Sequence, residues 1–233
     1  MIKFYNLNRL DKKLHTKILS NIQKILKKGD YILGNEVSLF EKNFSKFVGS
    51  NYSIGCANGT DAITLALKSL NLPKNSEVII PAMTFCSTAF AIINAGLKPV
   101  LIDLEVNTPT IDTKLIKNKI NKNTRVIMPV HLYGSVANIN EIKKIIKLNK
   151  KKIYLIDDCA QAHGATLDNS IDKKIGSAAD ISCFSLYPVK NLGAYGDAGI
   201  ITTNTKKFYE LIKNLRNLGS KKKFIHDNIG QNS

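Results

Sequence analysis

DISCFSLYPVKNLGAYGDAGIITT, Asp180 to Thr203, holds two apolar runs either side of a long, glycine-punctuated turn. Ile181 to Phe184 is short, apolar and carries a β-branched residue, so it reads as a buried strand. Ala198 to Thr203 is a second such run, rich in Ile and Thr. Pro188, Gly193, Gly196 and Gly199 mark the turn between them. That turn is barely long enough for a crossover and shows no helical period. The second strand is therefore expected to run antiparallel to its neighbours. Lys190 sits inside the turn. Taken alone, such a lysine points at water, as most lysines do; the rest of the chain changes that reading.

Upstream, strand-like and helix-like segments alternate. Strands are expected at Tyr52–Ala57, Glu77–Ile80, Pro99–Ile102, Arg125–Val130 and Ile153–Ile156. Helices are expected at Asp61–Leu70, Ser87–Ala95, Thr113–Ile120 and Ile139–Leu148, and a last helix at Thr205–Leu218. Two amphipathic helices precede them. One runs from Asp11 to Lys28 on Leu14, Ile18, Ile22 and Leu26; the other is built on Val37, Phe40, Phe44 and Phe47. Apolar strands alternating with helices predict an α/β fold: a three-layer α/β/α arrangement around a mostly parallel sheet with one antiparallel strand. No internal repeat or linker divides the chain.

Composition narrows the function. The 233 residues carry a formal charge of +16 and are 44% hydrophobic, enough for one sizeable core. Much of the positive excess sits in KNKINKN, KLNKKK and GSKKK, which read as solvated faces and helix ends. No aromatics interleave with them, which argues against nucleic-acid binding. Cys56, Cys86, Cys159 and Cys183 form no CxxC pair and read as reduced thiols of a cytoplasmic protein. His15, His131, His163 and His226 are too scattered for a zinc cluster, so no metal site is expected. No run is long enough to span a membrane, and the first residues lack an apolar signal core.

In parallel sheets ligands gather at the carboxyl ends of the strands. Those ends carry Asn58-Gly59-Thr60, Pro81 with Thr84-Phe85, His131 to Gly134, Asp157 to Gly164, and Ser185 to Lys190. ANGTDAITLAL follows a strand and opens a helix. Its free N–H groups and the Thr60 hydroxyl suit a phosphate, or the segment is an ordinary capped helix start. Asp157 and Asp158 end a buried strand and point to opposite sides. A carboxylate there is either a solvated loop acid or cap, or it meets a cation such as a lysine, a metal or a protonated ring nitrogen. A phosphate cradle, a carboxylate for a ring cation, the aromatic Phe85 and a loop lysine are together the parts of a pyridoxal phosphate site.

The chain resembles the sugar-nucleotide aminotransferases of the DegT/DnrJ family, within the fold-type-I pyridoxal-phosphate enzymes. The resemblance runs through YILGNEVSLFEKNFSKFVG, NGTDAITLALKSL, EVIIPAMTFCSTAFAIINAG, PVHLYGS, IDDCAQAHGA and SLYPVKNLGAYGDAG. It implies that Lys190 is the lysine that binds pyridoxal 5'-phosphate as a Schiff base and that Asp158 pairs with the ring nitrogen. It also implies that Gln161 bonds near the phenolic oxygen and that Phe85 stacks on the ring. Gly59, Thr60 and Ser185 would hold the phosphate, and Asn232, in GQNS, would reach the phosphate of a partner subunit. His163 receives no role beyond supporting the site. The implied reaction moves an amino group from glutamate to a nucleotide-linked keto-deoxy sugar, with 3-keto sugars matching the KNLGAYGDAG variant best. A homodimer is expected of the full-length protein. By the same resemblance, residues 1–233 are expected to be an incomplete cofactor-binding large domain without its C-terminal small domain. The alternative is a truncated, inactive cofactor-binding partner or regulator.

Overall fold

A computed structural model describes residues 2, 11–167, 170, 173–222 and 225–233. Most of the polar start of the chain and Lys223 of GSKKK lie outside the described residues.

The chain begins with α1 (Lys12–Lys28), capped by the Asp11 side chain, which accepts from Lys13 N at 3.1 Å. None of its residues is buried; Leu14, Leu19, Ile22 and Leu26 all lie exposed. Next comes α2 (Asn35–Val48), which packs Phe44 and Val48 into the core. From β1 (Tyr52–Cys56) onward strands and helices alternate: α3 (Gly59–Ser69), β2 (Glu77–Pro81), α4 (Cys86–Asn94), β3 (Lys98–Ile102), α5 (Thr113–Lys119), β4 (Thr124–Ile127), α6 (Ile139–Lys147) and β5 (Tyr154–Asp158). Then β6 (Ile181–Ser185) and β7 (Gly199–Thr203) flank the Lys190 turn, and α7 (Lys206–Arg216) follows.

Among the described residues the main sheet has seven strands in the order β1-β7-β6-β5-β4-β2-β3. Neighbours from β3 to β6 are parallel, and β7 runs antiparallel to both β1 and β6. The expected three-layer fold with one antiparallel strand is thus the observed one. Alternation along the strands fills both faces. Val78, Ile80, Val126, Ile156 and Ile201 meet α3, α4 and α7 on one side. Ile79, Ile127, Leu155, Phe184 and Ile200 meet α2, α5 and α6 on the other. A buried pair ties the layers at the β1 edge: Arg216 of α7 donates to the Glu41 carboxylate of α2 and, at 2.8 Å, to Gly55 O.

The expected strand Arg125–Val130 is corrected to Thr124–Ile127. Pro129 has no N–H for the ladder, and Val130 keeps only an isolated bridge to Asp158. In exchange β5 extends to Asp158, so both acids belong to the strand. Two features had no sequence expectation: a short helical turn at Leu132–Gly134 and a small hairpin, β8 (Ser220–Lys222) with β9 (Ile225–His226).

Candidate active site

The carboxyl ends of β1, β4, β5 and β6 and the start of α4 enclose a cavity of about 700 Å³. Gly59, Thr60, Phe85, Asp158, Gln161, Ser185 and Lys190 all line it. Seven of the eight expected site residues, spread over more than 130 positions of sequence, therefore share one wall. Asn232 does not line this cavity. It is exposed and bridges Asn217 beyond the far end of α7, beside Ser233, whose Oγ accepts from Ala57 N at 3.1 Å.

At the start of α3 the Asn58 side chain is the cap, accepting from Asp61 N at 2.8 Å. The Gly59 and Thr60 N–H groups precede that bond and have no acceptor within the helix, so they face the cavity end. Glycine is required at 59 by close approach. A Cβ there would sit 2.7 Å from the Ser185 Cβ and 3.2 Å from its Cα. The helix start and the end of β6 thus bring two N–H groups and a hydroxyl against each other, in a cradle that suits a phosphate.

The two strand-end acids have separate surroundings. Asp157 is buried away from the cavity, with Oδ1 at 3.7 Å from His131 Nε2 and Oδ2 accepting from Ser182 Oγ at 3.4 Å. His131 Nδ1 accepts from Ala137 N at 3.1 Å, so the ring's remaining proton lies on the nitrogen facing Asp157. The fold draws Cys159 into the same buried group, within 4.8 Å, although the histidines and cysteines look scattered in sequence. Asp158 faces the cavity and is 5% exposed. Oδ1 accepts from Ala160 N at 3.1 Å and Oδ2 from Thr88 Oγ1 at 2.8 Å. Burial pushes its pKa above the usual carboxylate range, opposed first by the Ala160 N–H and the Thr88 hydroxyl and then by electrostatic attraction toward His131 and Lys190.

Gln161 is oriented by a strained neighbour. Its Oε1 accepts from Tyr133 N at 2.7 Å, with Tyr133 held at φ 56° and Gly134 at φ 82°. The amide oxygen is therefore committed, and the NH₂ is left as the donor toward the cavity. Phe85 stands at the mouth, 69% exposed, as the residue before α4. Lys190 is half-buried, its N–H bonded to Tyr187 O at 2.8 Å in a tight turn. His163 lies behind that turn, its ring tilted against Phe184 at 5.3 Å. Burial lowers its pKa to about 4; the Lys190 charge lowers it further, while contacts to the Ser185 backbone and Asn191 act the other way. Its ring is neutral at pH 7.

Cys159 and Cys183 are buried thiols whose pKa values burial pushes well up, and Cys56 is pushed up to about 12. None of the three is a thiolate nucleophile near neutrality. Sequence reasoning gave no role to Thr88, Asp61, Tyr187 or Asp197, all of which line the cavity.

Known proteins resemble this chain along nearly its whole length. A model described as the DegT/DnrJ/EryC1/StrS aminotransferase family matches residues 12–233. The dTDP-3-amino-3,6-dideoxy-alpha-D-galactopyranose transaminase of Aneurinibacillus thermoaerophilus is 42% identical over 233 residues, all of this chain and 63% of that protein. Among solved structures, S. venezuelae DesV in complex with a ketimine intermediate superposes with a TM-score of 0.93 at 33% identity, covering 99% of this chain and 61% of that one. NtdA from Bacillus subtilis with bound cofactor PMP gives a TM-score of 0.90 at 30% identity, covering 99% of this chain and 52% of that one. The chain spans about 60% of the length of the curated relatives it matches.

Proposed function

The chain belongs to the DegT/DnrJ/EryC1/StrS aminotransferase family, and from that premise we propose that it is a pyridoxal-phosphate-dependent aminotransferase acting on a nucleotide-linked 3-keto sugar, with glutamate as donor. The observation that carries this reading is the convergence on one cavity of Lys190, the buried carboxylate of Asp158 and the Gly59–Ser185 cradle.

The residues present fit the cofactor. The bare Cα of Gly59 lets the start of α3, with its two free N–H groups, close against the Ser185 hydroxyl, Asp158 keeps lone pairs free on the cavity side, and Gln161 presents a donor. When bound, the cofactor supplies a carbonyl carbon that accepts an amino group and a ring that withdraws electrons from the carbon being deprotonated. Gly59 N–H, Thr60 N–H and Ser185 Oγ would hold the phosphate. Asp158 keeps the ring nitrogen protonated, which a carboxylate in a low-dielectric wall does far better than water. Gln161 Nε2 would be the donor for the cofactor's phenolic oxygen, and Phe85 would pack against its ring. Lys190 Nζ holds the cofactor in the resting protein. As a neutral amine its Nζ would be placed to take up and return the proton of the donor's α carbon.

The 3-amino sugar named for the Aneurinibacillus relative supports the 3-keto assignment. Residues 1–233 are read as the cofactor-binding large domain. The partner is read as a second copy of the chain, supported by the exposed Phe90, Ile93 and Leu101 along α4 and β3. A reducing, cytoplasmic setting is supported by four unpaired thiols; among the described residues no helix is long and apolar enough to cross a membrane. The test is a two-stage assay: glutamate added to the cofactor-loaded protein should release 2-oxoglutarate, and thymidine- or uridine-linked 3-keto sugars should then take up the amine. Turnover with amino-acid and keto-acid pairs but with no nucleotide sugar would refute the substrate class.

A further inference from the structure

Asp158 carries the structure's least expected chemical demand, a nearly buried carboxylate meant to be charged. Among the described residues it forms no ion pair. Its hydrogen-bond support is neutral: the Ala160 N–H on one oxygen and a single side chain on the other. Thr88, on α4 and 1% exposed, donates to Oδ2 at 2.8 Å. A hydroxyl has one proton, so the Thr88 oxygen can only accept in its second bond, 2.8 Å from Thr84 Oγ1. Thr84 is therefore the donor, and the two hydroxyls run in one direction toward the carboxylate. Bonds to an ionised acceptor are stronger than bonds to a neutral one, and aligned bonds polarise one another. The chain thus favours the charged form of Asp158. It also fixes which lone pairs are spent: one on each oxygen, leaving the others toward the cavity.

The geometry points to Thr88, backed by Thr84, as a positioning residue of the aminotransferase: its hydroxyl orients the Asp158 carboxylate and holds it ionised for the cofactor's ring nitrogen. This rests on the proposed function for its purpose, but not for its physical content, which concerns Asp158 alone. The other groups around Asp158 are few. Lys190 approaches from the β6–β7 turn and His131 from the end of β4, both favouring the charge; Asp157 and Cys159 adjoin it on its own strand, Cys183 faces it from β6, and Asp61 of α3 lines the same cavity. From α4 the Thr88 hydroxyl reaches it, backed by Thr84 two residues before the helix.

The experiment compares wild type with Thr88→Val, Thr88→Ser and Thr84→Val by two measurements. The first is the carboxyl carbon-13 titration of Asp158 in the protein without cofactor. The second is the dissociation constant for pyridoxal 5'-phosphate across pH. Valine keeps the shape and removes the hydroxyl. It should move the Asp158 titration up by about one pH unit, the scale of one hydrogen bond to a charged group. Cofactor affinity should then fall about tenfold at pH values on the acid limb and little on the alkaline plateau. Serine should restore both, and Thr84→Val should give a smaller upward shift. An Asp158 titration unchanged in Thr88→Val, or serine as damaging as valine, would overturn the inference and leave only packing. Should Thr88→Val not fold, Thr84→Val decides: an upward shift supports the relay and no shift overturns it. Wild type that binds no cofactor at any pH would refute the aminotransferase reading, while the titration would still decide the relay.

Discussion

Replacing Gly59 with alanine tests the phosphate cradle at its tightest point. The added Cβ would stand 2.7 Å from the Ser185 Cβ and 3.2 Å from its Cα and Oγ. Carbon–carbon contacts relax at about 3.5–4.0 Å, so the start of α3 and the end of β6 must part by most of an ångström. Overpacking of this kind costs about 1–3 kcal/mol. Alanine recovers roughly 0.4–1 kcal/mol by restricting the unfolded chain, so a net loss of about 1–2 kcal/mol is expected in urea unfolding. The function should suffer more than the fold. Moving the Gly59 and Thr60 N–H groups away from a bound phosphate forfeits a charge-assisted bond of about 1.5–3 kcal/mol, or about ten- to a hundredfold in cofactor affinity. The double variant Gly59→Ala with Ser185→Gly removes the nearest obstructing atom. It should recover part of the stability, although the Ser185 hydroxyl is lost with it. Unfolding midpoints and cofactor titrations of the two single variants and the double variant form the measurement. A Gly59→Ala protein with unaltered stability and affinity, or a double variant showing no recovery, would refute the close-approach argument.

Asp158→Asn keeps shape and loses charge: cofactor should remain bound through the cradle, with transamination down by orders of magnitude, whereas Asp157→Asn should alter stability and spare turnover. The reverse pattern in single-turnover kinetics would reassign the acid. His163 gives a pH prediction. Its folded pKa, about 4, lies below the ordinary 6.5, so between those values the unfolded state binds the extra proton. Its contribution to stability is therefore fully present above pH 6.5 and is lost as pH falls toward 4. His163→Gln should remove that part of the acid slope in unfolding curves, and an unchanged slope would show that another group carries it.

The sheet and its helices were legible because each strand is an apolar run of standard length bounded by turn residues. Ile181–Phe184 and Glu77–Ile80 needed no tertiary information to be recognised. The antiparallel course of β7 was legible from the length of the Lys190 turn. The hairpin β8–β9 was not, because SKK and IH carry no apolar alternation. Neither was the turn at Tyr133, a non-glycine residue at positive φ that local propensity disfavours and that its bond to Gln161 accompanies. Lys190 and Gly59 announced themselves as exceptions within loops and helix starts. Thr88 did not, since a threonine in a helix of small residues reads as packing until the carboxylate 70 positions away is placed beside it. The choice between Asp157 and Asp158 needed the neighbouring elements, because alternation says only that the two part company.

Lys190 is the residue on which the account stands. The protein should be loaded with pyridoxal 5'-phosphate, reduced with borohydride, digested, and the modified lysine located by mass spectrometry. The account predicts a visible absorption band before reduction and a single cofactor adduct on Lys190, abolished in Lys190→Ala. An adduct on a different lysine, or a Lys190→Ala protein that still transfers amino groups, would contradict it.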